Sequence, residues 1–268
     1  MMTPRVAAIH DMSGFGRCSL TVAIPILSAM GVQCCPLPTA FLSTHTGGFE
    51  GFTFLDMTDE MSKVADHWAS LGLTFQAVYS GFLGSERQIG VVENFICRFR
   101  GPDTVVVVDP VMGDYGRVYQ TYTAAMCSGM ARLAELADVI TPNLTAGEAG
   151  LREITERLSL GGRRSVVLTG ASLAPGRTGA VCFDARTGKT EAVQTAYVAH
   201  EFHGTGDVFS SVLTGALVRG ESLSSAAGEA AAFVRACAER TAAEDLPMRE
   251  GVDFEPLLGL LIPGKETV

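Results

Sequence analysis

The sequence predicts an α/β protein: a three-layer α/β/α sandwich with a mainly parallel central sheet. Three observations carry this. Short apolar runs alternate with helical stretches from the first ten residues to the last third of the chain. Thr104-Val105-Val106-Val107-Val108 is a continuous β-branched run, as a parallel strand buried on both faces reads. Polar or glycine-rich clusters follow successive runs, which is where ligands bind such sheets.

At 268 residues the chain can bury a sizeable core without disulfides or metals. A formal charge of −9 argues against nucleic acid or an anionic membrane as partner. The seven cysteines show neither a CxxC pair nor zinc-ligand spacing, and so read as reduced thiols of a cytoplasmic protein. No charged side chain lies between Arg17 and Glu50, but Pro25, Gly31, Pro36 and Pro38 interrupt the stretch. It reads as a buried helix, a buried strand and an uncharged loop, not a span.

In chain order, Val6 to His10 predicts a first strand, followed by the turn Asp11-Met12-Ser13-Gly14-Phe15-Gly16 and a helix from about Ser19 to Met30. Val32 to Pro38 is a second strand. Thr39 to Phe54, with Ser43-Thr44-His45-Thr46-Gly47-Gly48, has little helical character and reads as a lid or interface arm. Asp56 caps a helix whose apolar face is Met57, Met61, Val64, Trp68 and Leu71, with His67 on its polar side. Phe75 to Ser80 is a third strand, ending at Tyr79-Ser80-Gly81, and a helix from Glu86 to Phe99 follows.

The valine run ends in Asp109-Pro110-Val111-Met112-Gly113-Asp114-Tyr115-Gly116-Arg117-Val118-Tyr119, a loop longer and more acidic than a turn requires. Then come a helix (Tyr122 to Leu136), a short strand ending Thr141-Pro142-Asn143, a helix (Glu148 to Leu158) and a strand from Ser165 to Thr169 before Gly170-Ala171-Ser172. Runs around Ala180 to Phe183 and Ala192 to Gln194 predict a hairpin. Its Gly188-Lys189-Thr190 is no P-loop, because position 183 is Phe and no helix follows. There are no repeats or linkers, and the chain reads as one domain.

The most telling stretch is His203-Gly204-Thr205-Gly206-Asp207 before the apolar helix Val208, Val212, Leu213, Ala216, Leu217. Glycines aim backbone N–H groups at a ligand, and a helix N-terminus favours anions. An acid held there can take a proton from an attacking hydroxyl. An ordinary N-cap turn fits the same residues. The other strand-end clusters (Asp11/Ser13, Tyr79/Gly81, Asp109/Asp114, Thr141/Asn143, Thr169) favour the chemical reading, because all fall at one sheet edge. Few of them are basic, so phosphates there need backbone amides and a cation.

These motifs together resemble the ribokinase-like superfamily and, within it, the pyridoxal/pyridoxamine kinases. The resemblance rests on Asp109-Pro-Val-Met-Gly-Asp114 with Gly116 and Tyr119, on Thr141-Pro-Asn143, on Thr169-Gly-Ala-Ser172 and on Gly204-Thr-Gly-Asp207, in order along nearly the whole chain. It implies an ATP- and Mg²⁺-dependent kinase, and allows a monovalent cation, acting on the 5′-hydroxymethyl group of a B6 vitamer. It implies Asp207 as base and Gly204, Thr205 and Gly206 as anion hole. Asp109, Asp114, Tyr119, Thr141, Asn143 and Thr169 would surround ATP, with Asp109 and Asp114 at the metal. Asp11, Ser13, Thr46, Gly47 and Tyr79 would hold the vitamin, and a homodimer is expected.

The chain departs from this pattern twice. Ala146 stands where the family usually carries a glutamate, the nearest acid being Glu148. Asp11-Met-Ser-Gly-Phe-Gly resembles the opening of hydroxymethylpyrimidine kinases as much as that of many pyridoxal kinases. A hydroxymethylpyrimidine kinase is therefore the alternative enzyme. A degenerate homologue that only binds vitamin or nucleotide is the non-catalytic one.

Overall fold

The valine run does form the middle of the sheet. A computed structural model describes residues 3–114, 117–118, 122–143, 150–199, 202–244 and 246–264. Its elements are β1 (Arg5–Ser13), α1 (Ser19–Ala29), β2 (Gln33–Leu42), β3 (Phe54–Asp56), α2 (Thr58–Ser70), β4 (Ala77–Ser80), α3 (Glu86–Phe99) and β5 (Val105–Val108). A small ribbon, β6 (Gly113–Asp114) with β7 (Arg117–Val118), precedes α4 (Ala124–Glu135), β8 (Val139–Ile140) and α5 (Leu151–Leu158). β9 (Ser165–Ala171), β10 (Arg177–Asp184), β11 (Lys189–Ala196), α6 (Thr205–Val218) and α7 (Leu223–Ala243) complete it, before two short 3₁₀ turns at Met248–Glu250 and Glu255–Leu261.

Among the described residues the main sheet runs β11-β10-β9-β8-β5-β4-β1-β2-β3. The six strands from β9 to β2 are parallel, while β3 and the β10–β11 hairpin are antiparallel additions at the two ends. This is the expected architecture. β1 lies between β2 and β4, so the chain leaves it first to one side and then to the other. Such a reversal opens a crevice at the carboxyl edge, where ligands bind.

Side-chain alternation assigns the two faces. Val6, Ala77, Tyr79 and Val107 point into a core with α1, α6 and α7, while Ala7, Val78, Val106 and Val108 point into one with α2, α3 and α4. α6 is buried along Val208 to Ala216, and this all-round apolar character suits a helix covered on every side.

Several expectations shift in detail. β2 continues to Leu42 and pairs with β3, so part of the stretch read as a lid belongs to the sheet. The helix after Asp56 begins at Thr58; the Asp56 carboxylate accepts the Thr58 N–H at 2.7 Å from just outside it. Met61 is in the core, but Leu71 at the far end is 58% exposed and lies off the apolar face. All seven cysteines are free thiols. No helix among the described residues is long and apolar enough to cross a membrane.

Candidate active site at the carboxyl edge

The N-terminus of α6 faces the crevice, and two features put it there. Gly204 has φ of +75°, a left-handed conformation that favours glycine. A Cβ on Gly204 would lie 2.0 Å from the Arg17 carbonyl oxygen, so the turn seats directly on the segment after β1. Beyond it the amides of the first helical turn lack intrahelical partners by geometry. Gly206 is exposed, and a Cβ there would meet nothing within 4 Å. The outcome is an open ring of N–H donors at a positive helix end, suited to a phosphate.

Asp207 lies in that first turn, half-buried. Its Oδ2 accepts the backbone N–H of Ser19 at 2.9 Å. The Ser19 hydroxyl donates to Asp11 Oδ1 at 2.6 Å, and the Ser13 hydroxyl donates to Asp11 Oδ2 at 3.1 Å. Burial holds the Asp11 carboxyl above its ordinary range, against these hydrogen bonds. The Cys18 thiol, buried between Asp11 and Asp207, is pushed up by burial first and then by the two acids, and so stays protonated.

The residues read as vitamin contacts divide. Thr46 is exposed and Gly47 half-buried. Their loop is fixed by His45, whose Nδ1 accepts the Gly47 N–H at 3.1 Å while Nε2 donates to the Arg249 carbonyl at 2.7 Å. Burial lowers the His45 pKa, so it keeps this neutral tautomer. Gly47 packs so closely on His203 that a Cβ would lie 2.7 Å from its Nδ1. The loop therefore closes over the residue that precedes the anion turn. Ser13 and Tyr79, by contrast, are 0% exposed, and Asp11 only 6%. Asp11 and Ser13 brace the turn after β1, and Tyr79 lies beneath α6.

The residues read as nucleotide contacts also divide. Asp109 and Thr141 are buried, and Ser210 of α6 bridges them, its Oγ 3.1 Å from Asp109 Oδ2 and 3.1 Å from Thr141 Oγ1. The Thr141 hydroxyl thus braces the helix. Asn143 is exposed and forms a parallel bridge with Thr169, which extends the edge towards β9. Tyr119, Ala146 and Glu148 lie outside the described residues, as does the Asp114 side chain. Ser210 was missed by the sequence reading. Its signal was available: Ser210, Ser211 and Thr214 stand three, four and seven residues after Asp207, a polar stripe on an apolar helix.

Among the described residues, no three His, Cys, Asp or Glu side chains cluster to hold a metal ion. Mg²⁺ bound with phosphates and water needs only one or two carboxylates, so Asp109 at this edge fits such an ion. A cavity of about 260 Å³ lies against the segment after β1, lined by Gly14 to Arg17, Thr21, Glu250 and Glu255.

A phosphate cradle, an adjoining acid and a crevice at the sheet reversal suit phosphoryl transfer to an alcohol. Residues 24–251 match the phosphomethylpyrimidine kinase family. The chain belongs to this family. Within it the chain stands with the pyridoxal kinases of the ribokinase-like superfamily. A pyridoxine/pyridoxal/pyridoxamine kinase of Bordetella bronchiseptica is 29% identical over 265 residues, covering 88% of this chain and 89% of that one. A Bacteroides thetaiotaomicron protein assigned to the phosphomethylpyrimidine kinases, crystallised with pyridoxal, is 41% identical with a TM-score of 0.91, covering 97% and 96%. Pyridoxal kinase of Lactobacillus plantarum is 27% identical with a TM-score of 0.90, covering 97% of each chain.

Proposed function

We infer that this chain is an ATP-dependent kinase of B6 vitamers, phosphorylating the 5′-hydroxymethyl group of pyridoxal, pyridoxine or pyridoxamine. The observation that carries this is the placement of Asp207 inside the anion-binding first turn of α6, at the crevice beside β1. Asp207 takes the proton of the vitamin's primary alcohol as its oxygen bonds to the γ-phosphorus of ATP. The bond from that phosphorus to the ADP oxygen breaks, and ADP leaves with the electron pair. The amides of Thr205 and Gly206 hold the transferring phosphoryl oxygens. Asp109, with Asp114 as second candidate, would hold a Mg²⁺ ion bound with ATP, which would neutralise phosphate charge. Asn143 and Thr169 lie where the nucleotide would extend along the edge; Thr46 and Gly47 lie where the vitamin would be covered.

The whole chain serves as one kinase domain, a reading supported by one sheet that takes strands from residue 5 to residue 196. Exposed Phe41, Phe54 and Leu55 on the outer β2–β3 edge support a homodimer closed across it. The seven free thiols favour a reducing compartment such as the cytoplasm.

The test is coupled ADP release with each B6 vitamer and with hydroxymethylpyrimidine, side by side. The highest kcat/KM is expected with a B6 vitamer. Turnover of hydroxymethylpyrimidine alone would move the assignment to the pyrimidine kinase, the reading that Asp11-Met-Ser-Gly favours. Tight binding without any phosphorylated product would rule out catalysis altogether.

A further inference from the structure

The face of the sheet beneath α6 carries more polar groups than the proposed reaction uses. Asp109 and Thr141, on neighbouring strand ends, are joined through the Ser210 hydroxyl. The same row continues across the sheet to Tyr79 near the end of β4 and His10 within β1, the next two strands in order. The His10 and Tyr79 rings meet edge to face with centroids 4.3 Å apart. The Tyr79 hydroxyl faces Ser210 and Ser211 of α6 without reaching hydrogen-bond geometry with either.

One half of this row is satisfied and the other is not. Tyr79 Oη, Ser211 Oγ and both ring nitrogens of His10 are buried without a hydrogen-bond partner, on residues that are 0% exposed. Buried polar groups are paired, with protein or with internal water, in the great majority of cases. A hydroxyl, a phenol and an imidazole clustered together supply both donors and acceptors, as a bound water needs. Apolar side chains at these positions would have filled the core without that requirement.

We propose that His10, Tyr79 and Ser211 enclose an internal water that extends the Asp109–Ser210–Thr141 seam to β1, and that this hydrated seam positions Asp207. Ser210 and Ser211 stand one helical turn after Asp207, on the same side of α6. Fixing their hydroxyls to four adjacent strands fixes where that turn places its carboxylate and its amides. Tyr79, Ser211 and His10 are positioning residues; none of them touches the reacting atoms. The proposal rests on Asp207 being the base, and its test includes observations that do not depend on activity.

The test compares the full-length wild type with Tyr79→Phe and Ser211→Ala. A high-resolution crystal structure of the wild type should show an ordered water within hydrogen-bond distance of Tyr79 Oη and Ser211 Oγ, absent from Tyr79→Phe. Amide hydrogen exchange at residues 208–211 should quicken about tenfold in either variant. With pyridoxal and ATP, kcat should fall about tenfold while both KM values stay within about twofold, because positioning is lost and binding is kept. The double variant should be little worse than either single one, since both hydroxyls serve one water. Direct pairing of the two hydroxyls with no water between them would overturn the proposal, as would wild-type exchange and kcat, or a rise in KM alone. If Tyr79→Phe does not fold, Ser211→Ala, which removes a single hydroxyl, carries the same readings. Loss of the base assignment through an active Asp207→Ala enzyme would leave the water and the exchange rates standing, so the two failures are distinguishable.

Discussion

The backbone N–H of Ser19 donates to the Asp207 carboxylate at 2.9 Å, and Ser19 holds a φ of +51° to do so. A serine in that conformation costs energy that the fold must recover elsewhere. Its hydroxyl bond to Asp11 and its amide bond to Asp207 are the two returns visible in the structure. The start of the helix after β1 thereby orients the acid in the first turn of α6.

Asp207→Asn should keep the Ser19 hydrogen bond, because the amide oxygen accepts as the carboxylate does, while removing the basic group. The expected result is a fall in kcat on the order of 10²–10⁴ with an unchanged fold. Steady-state kinetics beside circular dichroism check it, and a variant within tenfold of wild type would remove Asp207 as the base.

Gly204→Ala and Gly206→Ala should part company. At Gly204 the new Cβ meets the Arg17 carbonyl in a left-handed turn, so a loss of more than about 1 kcal/mol in unfolding free energy is expected, together with activity. At Gly206 the Cβ enters open space within a helix, which should stabilise the fold by up to about 1 kcal/mol. That space is where the phosphate is proposed to bind, so its KM for ATP should rise. Urea unfolding and ATP titrations separate the two.

Gly47→Ala should act on the vitamin. Its Cβ would press on the His203 ring and lift the loop that His45 fixes. The KM for pyridoxal should rise several-fold with little change in the KM for ATP. Equal effects on both substrates would place the loop elsewhere in the mechanism.

His10 makes stability depend on pH. Burial depresses its pKa from 6.5 to about 3, so the unfolded chain binds a proton that the folded chain refuses. The associated stability is complete above the unfolded value and is lost as pH falls from 6.5 towards 3. At pH 5 the loss from this residue is about 2 kcal/mol. His45 shifts in the same direction, so the measurement is a comparison: unfolding of His10→Phe should be less sensitive between pH 7.5 and 5 by about that amount. Identical pH profiles would show that His10 stays uncharged in both states.

Much of the fold was legible because its elements obey one period each. The helix at Glu86–Phe99 has the predicted ends, and Gly188-Lys189 lies at the hairpin turn, not at a phosphate loop. The glycine turn at the head of α6 was legible from its sequence and the apolar helix behind it. What could not be read was the direction of each side chain at a strand end. Tyr79 follows the two-residue alternation into the core under α6, one residue short of the crevice. Asp11 turns its carboxylate to Ser13 and Ser19, a local satisfaction that composition does not reveal. Ser210 was hidden because a serine on a buried helix announces itself only when its partners on other strands are known.

The seat of Gly204 on the Arg17 carbonyl joins positions far apart in the chain, and the Ser19–Asp207 bond spans 188 residues. Such a contact forms late, since the intervening sheet must first be assembled. During synthesis the early strands can pair while the proposed acid is still unmade or inside the ribosome. A nascent chain cut short before α6 lacks the proposed base and should have no partial activity to misuse.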